Sequence, residues 1–416
     1  MRKHAGLLVG YGLSIVVSAL VTLIGIPIVI GHSGANAWAS LAVGQAVGTG
    51  AAMLIGYGWG TTGPTAVARA NDAERRRIYF DSFRARLLLF LPITLAAVIV
   101  TSLAVHYSVP EASVNAVGYC LSGLLAGWYF TGIAQPYLFL LLDAGPRVAG
   151  AAAGTAAVFF GAPLMAFAGF QLVGILVGVL LSTRFVAGGN ERIFRDFDLR
   201  RTFEVLGKQS HGVAIAIVLA ANVAVPSAIV AFVAPAALPA FALADKLLRF
   251  GTTAYAPIVQ FLQGWVPTGS TTEVTRKIKA AFLLGGLSSL AGAVLFVFVA
   301  PLLSSLLSQA QVGISTGLVV GFGLALFVME LAQFTGLVCL LALNQAQRIA
   351  LFSSIGIVVS LPAIFFGALT FGATGAAWMM AFGELVAFVP QLVLLRIALA
   401  KASLTADVTG ALGTKT

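Results

Sequence analysis

Charged side chains are scarce in this 416-residue chain. Asp, Glu, Lys and Arg make up only 9% of it, whereas soluble domains carry about 25%. Hydrophobic residues make up 59%, and the mean hydropathy is +1.01. This composition excludes an ordinary soluble domain. It predicts repeated apolar runs of about 20 residues, each long enough to cross the ~30 Å hydrocarbon layer of a bilayer.

Residues that carry enzyme chemistry are also rare, with two cysteines and four histidines. Cys120 and Cys339 both fall in apolar runs, which argues against a structural disulfide and favours small packing residues. The histidines lack metal-ligand spacing, and the sequence has no GxxxxGK[ST] phosphate-binding loop. We therefore do not expect an enzyme, and we expect neither a cofactor nor a bound metal.

Acidic residues number 14 against 24 basic ones, which gives a net charge of +10. The basic excess lies in segments between the apolar runs, where it would face anionic lipid, so we do not expect a nucleic-acid partner. Every second connecting segment is basic, and the others contain no Lys or Arg. This alternation is typical of the positive-inside rule, and it predicts a multi-pass protein of the cell (plasma) membrane with both termini in the cytoplasm.

The apolar runs predict an all-α polytopic membrane protein with about twelve transmembrane helices. The predicted outer connections are 31–36, 106–115, 235–236, 301–313, 368–372 and a tight turn near Gly169. The predicted spans are 7–30, 37–59, 87–105, 116–141, 149–166, 168–186, 211–234, 237–264, 280–300, 314–343, 349–367 and 373–396.

The two halves of the chain share features at a common offset. The segment 41–45 (LAVGQ) is similar to 241–245 (FALAD), and Arg147 corresponds to Arg348. These matches predict two pseudo-symmetric six-helix lobes related by an axis along the membrane normal. The predicted division is an N-terminal lobe, a cytoplasmic linker, a C-terminal lobe and a polar, irregular cytoplasmic tail, at residues 1–187, 188–210, 211–396 and 397–416.

Five ionisable residues fall inside predicted spans, namely Asp245, Lys246, Arg249, Glu330 and Glu384. Asp245, Lys246 and Arg249 share one helix face because they are spaced by three and four residues. This face predicts a binding site for an anionic head group, since intramembrane cations are costly and are often functional. The alternative is structural, with Asp245 neutralising Arg249 and Glu330 or Glu384 pairing with Lys246.

The two glutamates have their own pair of interpretations. A buried carboxyl at Glu330 or Glu384 could carry a proton and couple transport to an H⁺ or Na⁺ gradient. The alternative is a buried packing residue or a counter-ion for span 8. Rows of small residues have a simpler meaning: Gly44, Gly48, Gly50 and the run 150–154 are expected to let helices pack closely.

Several segments resemble one transporter family. These are GYGW at 56–59, GPTAVA at 63–68, GWYFTG at 127–132 and ALADKL at 242–247. They resemble the polysaccharide transporter (Wzx-like lipid-linked oligosaccharide flippase) branch of the multidrug/oligosaccharidyl-lipid/polysaccharide (MOP) superfamily. The resemblance implies a MOP/MATE-like fold and Lys246 and Arg249 as cavity cations. The chain departs from the pattern in having no basic residue deep in span 1 or 2.

The resemblance implies a function in cell-surface polysaccharide biosynthesis. The expected substrate is a saccharide linked to an undecaprenyl-diphosphate-type lipid, moved from the cytoplasmic to the outer leaflet by alternating access. A polysaccharide polymerase or a glycosyltransferase is the expected protein partner. Two alternatives stay open. One is a multidrug or cation antiporter of the same superfamily, which would need an acidic cavity to bind a cation. The other is a non-transporting membrane subunit of a polysaccharide-assembly complex.

Overall fold

The computed structural model describes residues 2–188, 198–268, 270–343 and 345–413. Within these ranges the chain is almost entirely helical and contains no β-strand. The α-helices are α1 Arg2–Ser33, α2 Ala35–Gly56, α3 Trp59–Arg69, α4 Asp72–Ala104, α5 Val109–Leu121, α6 Gly127–Gly132, α7 Pro136–Phe139, α8 Gly145–Phe159, α9 Leu164–Ala187, α10 Leu199–Lys208, α11 Ser210–Val233, α12 Leu238–Trp265, α13 Thr271–Leu307, α14 Thr316–Gln333 and α15 Ala346–Gly413. Two π-helical segments, Leu140–Ala144 and Phe334–Leu340, extend α7 and α14.

The described helices confirm the predicted all-α polytopic class. Eight of them are long and apolar enough to cross a bilayer, judged on length and composition in the described ranges. One of the eight joins predicted spans 11 and 12, because α15 is two helices that meet at a bend at Gly372 (φ 60°). Predicted span 8 coincides with α12. The total of twelve spans stays a prediction.

The structure of three segments, the turn near Gly169, the tail and the linker, differs from the sequence prediction. The expected turn near Gly169 is wrong, since Gly169 lies inside α9 and the chain reverses at 160–163, where Pro163 precedes the helix. The expected irregular tail is wrong for the backbone up to Gly413, which continues α15. The predicted linker contains a helix, α10, while its residues 189–197 lie outside the described part of the chain.

The predicted span 4 is not one helix. Its α5 ends at Leu121, and a 3₁₀ turn at Ser122–Leu124 leads into the short α6. A second interruption follows at Ala134, which has φ 54°. Gly123, Gly127 and Pro136 surround these interruptions, and residues of these types weaken a regular helix.

The chain divides into two compact units. The first unit comprises Met1–Pro239 with Ser305–Val312, and the second comprises Ala240–Ser304 with Gly313–Thr416. In this division α11 belongs to the first unit, whereas the sequence analysis placed it in the second lobe. The duplicated six-helix organisation stays a prediction.

Close contacts of α2 organise the first unit. A Cβ at Gly44 or Gly48 would overlap the backbone of Ala112 or Ala116 in α5, and a Cβ at Gly50 would lie 2.6 Å from Ala224 Cβ in α11. The glycines therefore let two helices approach α2 to backbone contact. This confirms the predicted role of the small-residue rows.

The second unit has its own apolar core. Phe334 and Val338 of the π-helical segment are fully buried with Ile278 of α13, Leu262 of α12 and Leu395 of α15. Because a π-helical turn carries an extra residue, it turns successive side chains to a different angle from an α-helix.

Candidate functional site

The charged face predicted on α12 is present in the second unit. Arg249 Nε donates a hydrogen bond to Asp245 Oδ2 at 2.8 Å, one helical turn away. The Asp245 side chain is 9% exposed, and the Arg249 side chain is 35% exposed. Lys246 is half-buried. The structure thus brings together the Asp245–Arg249 pair, and α12 carries two cations for one carboxylate.

The two predicted glutamates lie on other helices of the second unit. Glu330 of α14 is fully buried, and Gln333 Nε2 donates to its Oε1 at 3.4 Å. Its Oε2 has no hydrogen-bond partner among the described residues. Glu384 of α15 is half-buried. A fully buried carboxyl group whose one hydrogen bond is long is costly unless it is protonated or paired.

The first unit contains a charged site that the sequence analysis missed. The predicted bounds of spans 2 and 3 leave Arg86 in the connecting segment 60–86, but the structure places it within α4, where it is 1% exposed. Its Nη1 donates to the backbone oxygens of Gly123 at 3.0 Å and Leu125 at 2.9 Å. These carbonyls lie where span 4 is interrupted, so they lack helical partners. Arg86 therefore satisfies the carbonyls freed by the break.

Aromatic rings surround the Arg86 guanidinium. Its Cζ lies 5.7 Å from the ring centroid of Trp128 and 6.0 Å from that of Tyr79. Trp128 in turn contacts Trp59, with centroids 5.7 Å apart. A cation within about 6 Å of an aromatic face is attracted by the ring quadrupole. The rings thus provide part of the interaction that water would otherwise give to this buried cation.

A second cation of the first unit faces the same region. Arg147 Nη2 donates to Asp143 Oδ1 at 2.8 Å across one helical turn, where the π-helical segment Leu140–Ala144 passes into α8. The Asp143 side chain is 2% exposed, and the Arg147 side chain is 38% exposed. The carboxylate is therefore fixed, while part of the guanidinium is accessible.

These residues line one cavity, called here the first-unit pocket. Its wall includes Arg86, Asp143, Arg147, Trp59 and Trp128, and its volume is about 510 Å³. Small-molecule sites have volumes of about 300–1,000 Å³ and combine aromatic walls with a few polar groups. The pocket therefore has the size and lining of a ligand site, and all of its lining residues belong to the first unit.

A sequence signal for this pocket existed. Gly123, Gly127, Gly132 and Pro136 within one apolar run indicate a broken helix, and irregular backbone at membrane depth needs protein donors or a cavity. The identity of the donor was not readable, because Arg86 is far from the break along the chain and meets it only through packing of α4.

Comparisons with known proteins agree on the fold. No protein-family model and no curated protein matches the sequence. Among solved structures, the chain is similar to an inward-facing multidrug resistance MATE family transporter of the MOP superfamily, with a TM-score of 0.71, 13% identity, and coverage of 93% of this chain and 96% of that one.

Two further structures extend the likeness. The lipid II flippase MurJ in an inward closed conformation has a TM-score of 0.70 and 10% identity, with 96% of this chain and 90% of that one covered. A MATE protein in the bent conformation has a TM-score of 0.51 and 15% identity, with 93% and 96% covered. At these identities the likeness concerns the fold alone. The chain has the fold shared by MATE transporters and MurJ.

Proposed function

We propose that the protein is a membrane transporter that flips a lipid-linked, anionic saccharide from the cytoplasmic to the outer leaflet of the plasma membrane. The fold of MurJ and MATE proteins supports the transporter class. The choice of an anionic substrate rests on the charges of α12. This helix has two cations for one carboxylate, and its Arg249 side chain is 35% exposed. In this proposal Lys246 and Arg249 meet the diphosphate, because guanidinium and ammonium groups are the usual phosphate partners.

The lipid and the glycan take different routes in this proposal. The apolar tail stays in the bilayer while the polar head crosses through the protein by alternating access, since a charged head in hydrocarbon is strongly disfavoured. Delivery to the outer leaflet would supply cell-surface polysaccharide synthesis, with a polymerase or glycosyltransferase as partner. Both termini are cytoplasmic in this arrangement, as the distribution of basic residues predicts.

The test is export by Lys246→Ala and Arg249→Ala variants in cells that depend on this protein for surface polysaccharide. We expect each variant to lower surface polysaccharide about tenfold at equal protein level, because each removes a charge that binds the diphosphate. The matched controls are Lys279→Ala and Arg348→Ala, two exposed residues of the second unit. Wild-type export by both α12 variants would overturn the site.

The Asp245–Arg249 pair needs a further control. Arg249→Ala leaves Asp245 buried without its partner, so loss of export could come from an unpaired buried carboxylate. The double variant Asp245→Ala/Arg249→Ala removes both charges. We expect it to export as poorly as Arg249→Ala. Recovery of export in the double variant would show that the arginine is structural and not a substrate ligand.

Coupling to a proton or sodium gradient is part of the proposal, through Glu330 or Glu384. The full burial of Glu330 and the long 3.4 Å hydrogen bond from Gln333 support this role, since a carboxyl group in such a place can take up a proton. We expect Glu330→Gln to fold and to abolish gradient-driven export. Unchanged dependence on the gradient in both Glu330→Gln and Glu384→Gln would contradict the coupling.

A multidrug antiporter is the second candidate. It is favoured by the likeness to a multidrug resistance MATE transporter. A site for cationic drugs needs an acid without a cationic partner. The carboxylates of α12 and of the first-unit pocket each pair with an arginine, which leaves Glu330 as the acid that such a site would use. The test is the drug sensitivity of a strain that lacks the gene. Increased sensitivity with normal surface polysaccharide would favour the antiporter.

A further inference from the structure

Helix α10 has exposed apolar side chains that the proposed function does not use. Leu199 and Phe203 are 52% and 61% exposed. They are four residues apart, so they lie on one edge of the helix. Thr202 and Leu206, each three positions further along, are buried. The exposed apolar edge is therefore continuous with the face that packs on the protein.

Contacts with α4 fix the position of α10 within the first unit. Val205 packs against a buried cluster that includes Tyr79 and Phe80 of α4. Arg201 Nη2 donates to Asp81 Oδ2 at 2.7 Å. Because the packed face and the ion pair both involve this short part of α4, α10 is held at the level of residues 79–81.

This level lies just outside the apolar part of α4. From Leu87 to Ala104 the helix has no charged residue, and Leu87, Leu91 and Leu95 are exposed apolar side chains that lipid would cover. Asp81 precedes Leu87 by six residues, roughly 9 Å along the helix. The polar headgroup layer of a bilayer is about 5–8 Å deep on each side. A helix docked at Asp81 therefore lies at the level of the lipid headgroups.

Basic side chains lie beside the apolar edge. Arg200 is 91% exposed, and its 3.5 Å contact with Glu204 is an exposed ion pair, which has little strength. The basic residues of α10 and of the adjoining segment 77–84 of α4 are Arg77, Arg84, Arg200, Arg201 and Lys208, and the acidic residues, with the N-cap of α10 included, are Asp81, Asp198 and Glu204. Five basic residues against three acidic ones favour an anionic surface.

The small size of the apolar edge argues against a protein partner. An aromatic side chain offers about 150–250 Å² of surface, and the edge consists of one partly exposed phenylalanine and one partly exposed leucine. A stable interface with a protein, including a second copy of this chain, buries about 800 Å² on each side. Two apolar side chains are enough to enter a bilayer surface, because the lipid is already next to the apolar part of α4.

We propose that α10 binds anionic phospholipid at the cytoplasmic surface of the membrane. Leu199 and Phe203 enter the boundary between headgroups and acyl chains, and Arg200 and Lys208 contact lipid phosphate groups. Apolar residues on one edge with basic residues beside them are typical of helices that lie in a membrane surface. Arg201 is a positioning residue, since its ion pair with Asp81 holds α10 on α4.

The experiment measures the depth of α10 in the full chain, reconstituted in nanodiscs of phosphatidylcholine with or without phosphatidylglycerol. A nitroxide label is attached to Leu199→Cys on the apolar edge or to Glu204→Cys on the charged edge. Cys120 and Cys339 are buried, so the unsubstituted chain is the labelling control. With phosphatidylglycerol present, we expect the label at position 199 to be more accessible to oxygen than to an aqueous nickel complex. The label at position 204 should show the reverse order.

Dependence on anionic lipid tests the role of the basic residues. Adding phosphatidylglycerol should raise the oxygen-to-nickel accessibility ratio at position 199 severalfold. Arg200→Gln should raise the phosphatidylglycerol content needed for half of this change about fivefold, the factor that one basic residue contributes at an anionic surface. Arg348→Gln, an exposed arginine of the second unit, is the matched control and should change nothing. Phe203→Ser removes the apolar anchor and should lower the ratio at position 199.

Four results would overturn the proposal. Equal ratios at positions 199 and 204 would mean that the apolar edge does not enter the bilayer, and exclusion of both reagents from position 199 would indicate a protein contact there. A ratio at position 199 that is the same with and without phosphatidylglycerol would rule out selection of anionic lipid. Equal effects of Arg200→Gln and Arg348→Gln would assign the lipid dependence to overall charge. None of these measurements involves transport, so their outcome is independent of the proposed function.

Discussion

Helices α4 and α13 begin alike and differ deeper in the protein. Each starts with a reciprocal capping box: Asn71 with Glu74 in α4, and Ser270 with Glu273 in α13. At the same distance from the cap residue, α4 carries Arg86 and α13 carries Gly285. The two positions are therefore directly comparable: one has a buried arginine and the other has a glycine, which has no side chain.

The partners of these two positions explain the difference. Arg86 reaches the carbonyls of a helix that is interrupted between α5 and α6. Gly285 lies against the ring of Phe334, where α14 continues into the π-helical segment without a break. A broken helix frees carbonyls that need a long donor. In a continuous helix the carbonyls are already paired within the helix. A helix that packs closely against it then needs a residue without a side chain at the contact.

The comparison changes how a buried cation is interpreted. Arg86 is more buried than Arg249, yet its Nη1 is used by backbone carbonyls, so its first role is to hold an irregular segment. The partly exposed Arg147 and Arg249 are better placed to meet a ligand. Burial alone thus does not identify a substrate-binding residue.

Replacing Arg86 should have the largest effect on stability. Arg86→Met leaves the Gly123 and Leu125 carbonyls buried without a donor, at about 1–3 kcal/mol each. We expect a loss of about 2–5 kcal/mol in the free energy of unfolding, measured by SDS titration of the purified protein. The control is Arg77→Met in the same helix, whose side chain is 73% exposed. Equal stability of the two variants would contradict the capping role.

Replacing Gly285 should lower the stability of the protein less than replacing Arg86. Gly285→Ala places a methyl group into the Phe334 ring and should cost about 1–3 kcal/mol by overpacking. Its neighbour Gly286 is the control, since a Cβ there would lie 3.9 Å from Leu331 Cδ1, an ordinary contact. Gly286→Ala should be neutral or slightly stabilising, because Ala favours a helix more than Gly does. If both variants melt at the same temperature, the contact is not tight.

The two aspartate–arginine pairs should show the smallest effects and the greatest similarity. Asp143–Arg147 and Asp245–Arg249 have the same spacing, the same 2.8 Å separation and similar exposure. Double-mutant cycles should give a coupling energy of about 1 kcal/mol for each pair, above the value of exposed helix pairs because the carboxylates are buried. A coupling energy near zero for one pair and a large one for the other would contradict the prediction that the two pairs are equivalent.

Continuous helices explain which parts of the site were readable from the sequence. The Asp245–Arg249 contact followed from a spacing of four residues, because α12 runs unbroken through it. The packing of Gly44 and Gly48 was readable for the same reason. The first-unit pocket was not, since it depends on where span 4 breaks and on a contact between Arg86 and a distant segment. Tertiary packing, rather than local propensity, decides such contacts.

The most direct measurement is flipping of a lipid-linked saccharide by the purified protein in liposomes. The substrate carries an undecaprenyl-diphosphate-linked glycan, and an external glycosidase reports how much glycan reaches the outer face. We expect wild type and Arg348→Ala to expose glycan much faster than liposomes without protein, and Lys246→Ala and Arg249→Ala to expose it at near the protein-free rate. Wild-type protein that flips no faster than protein-free liposomes would contradict the proposed transport.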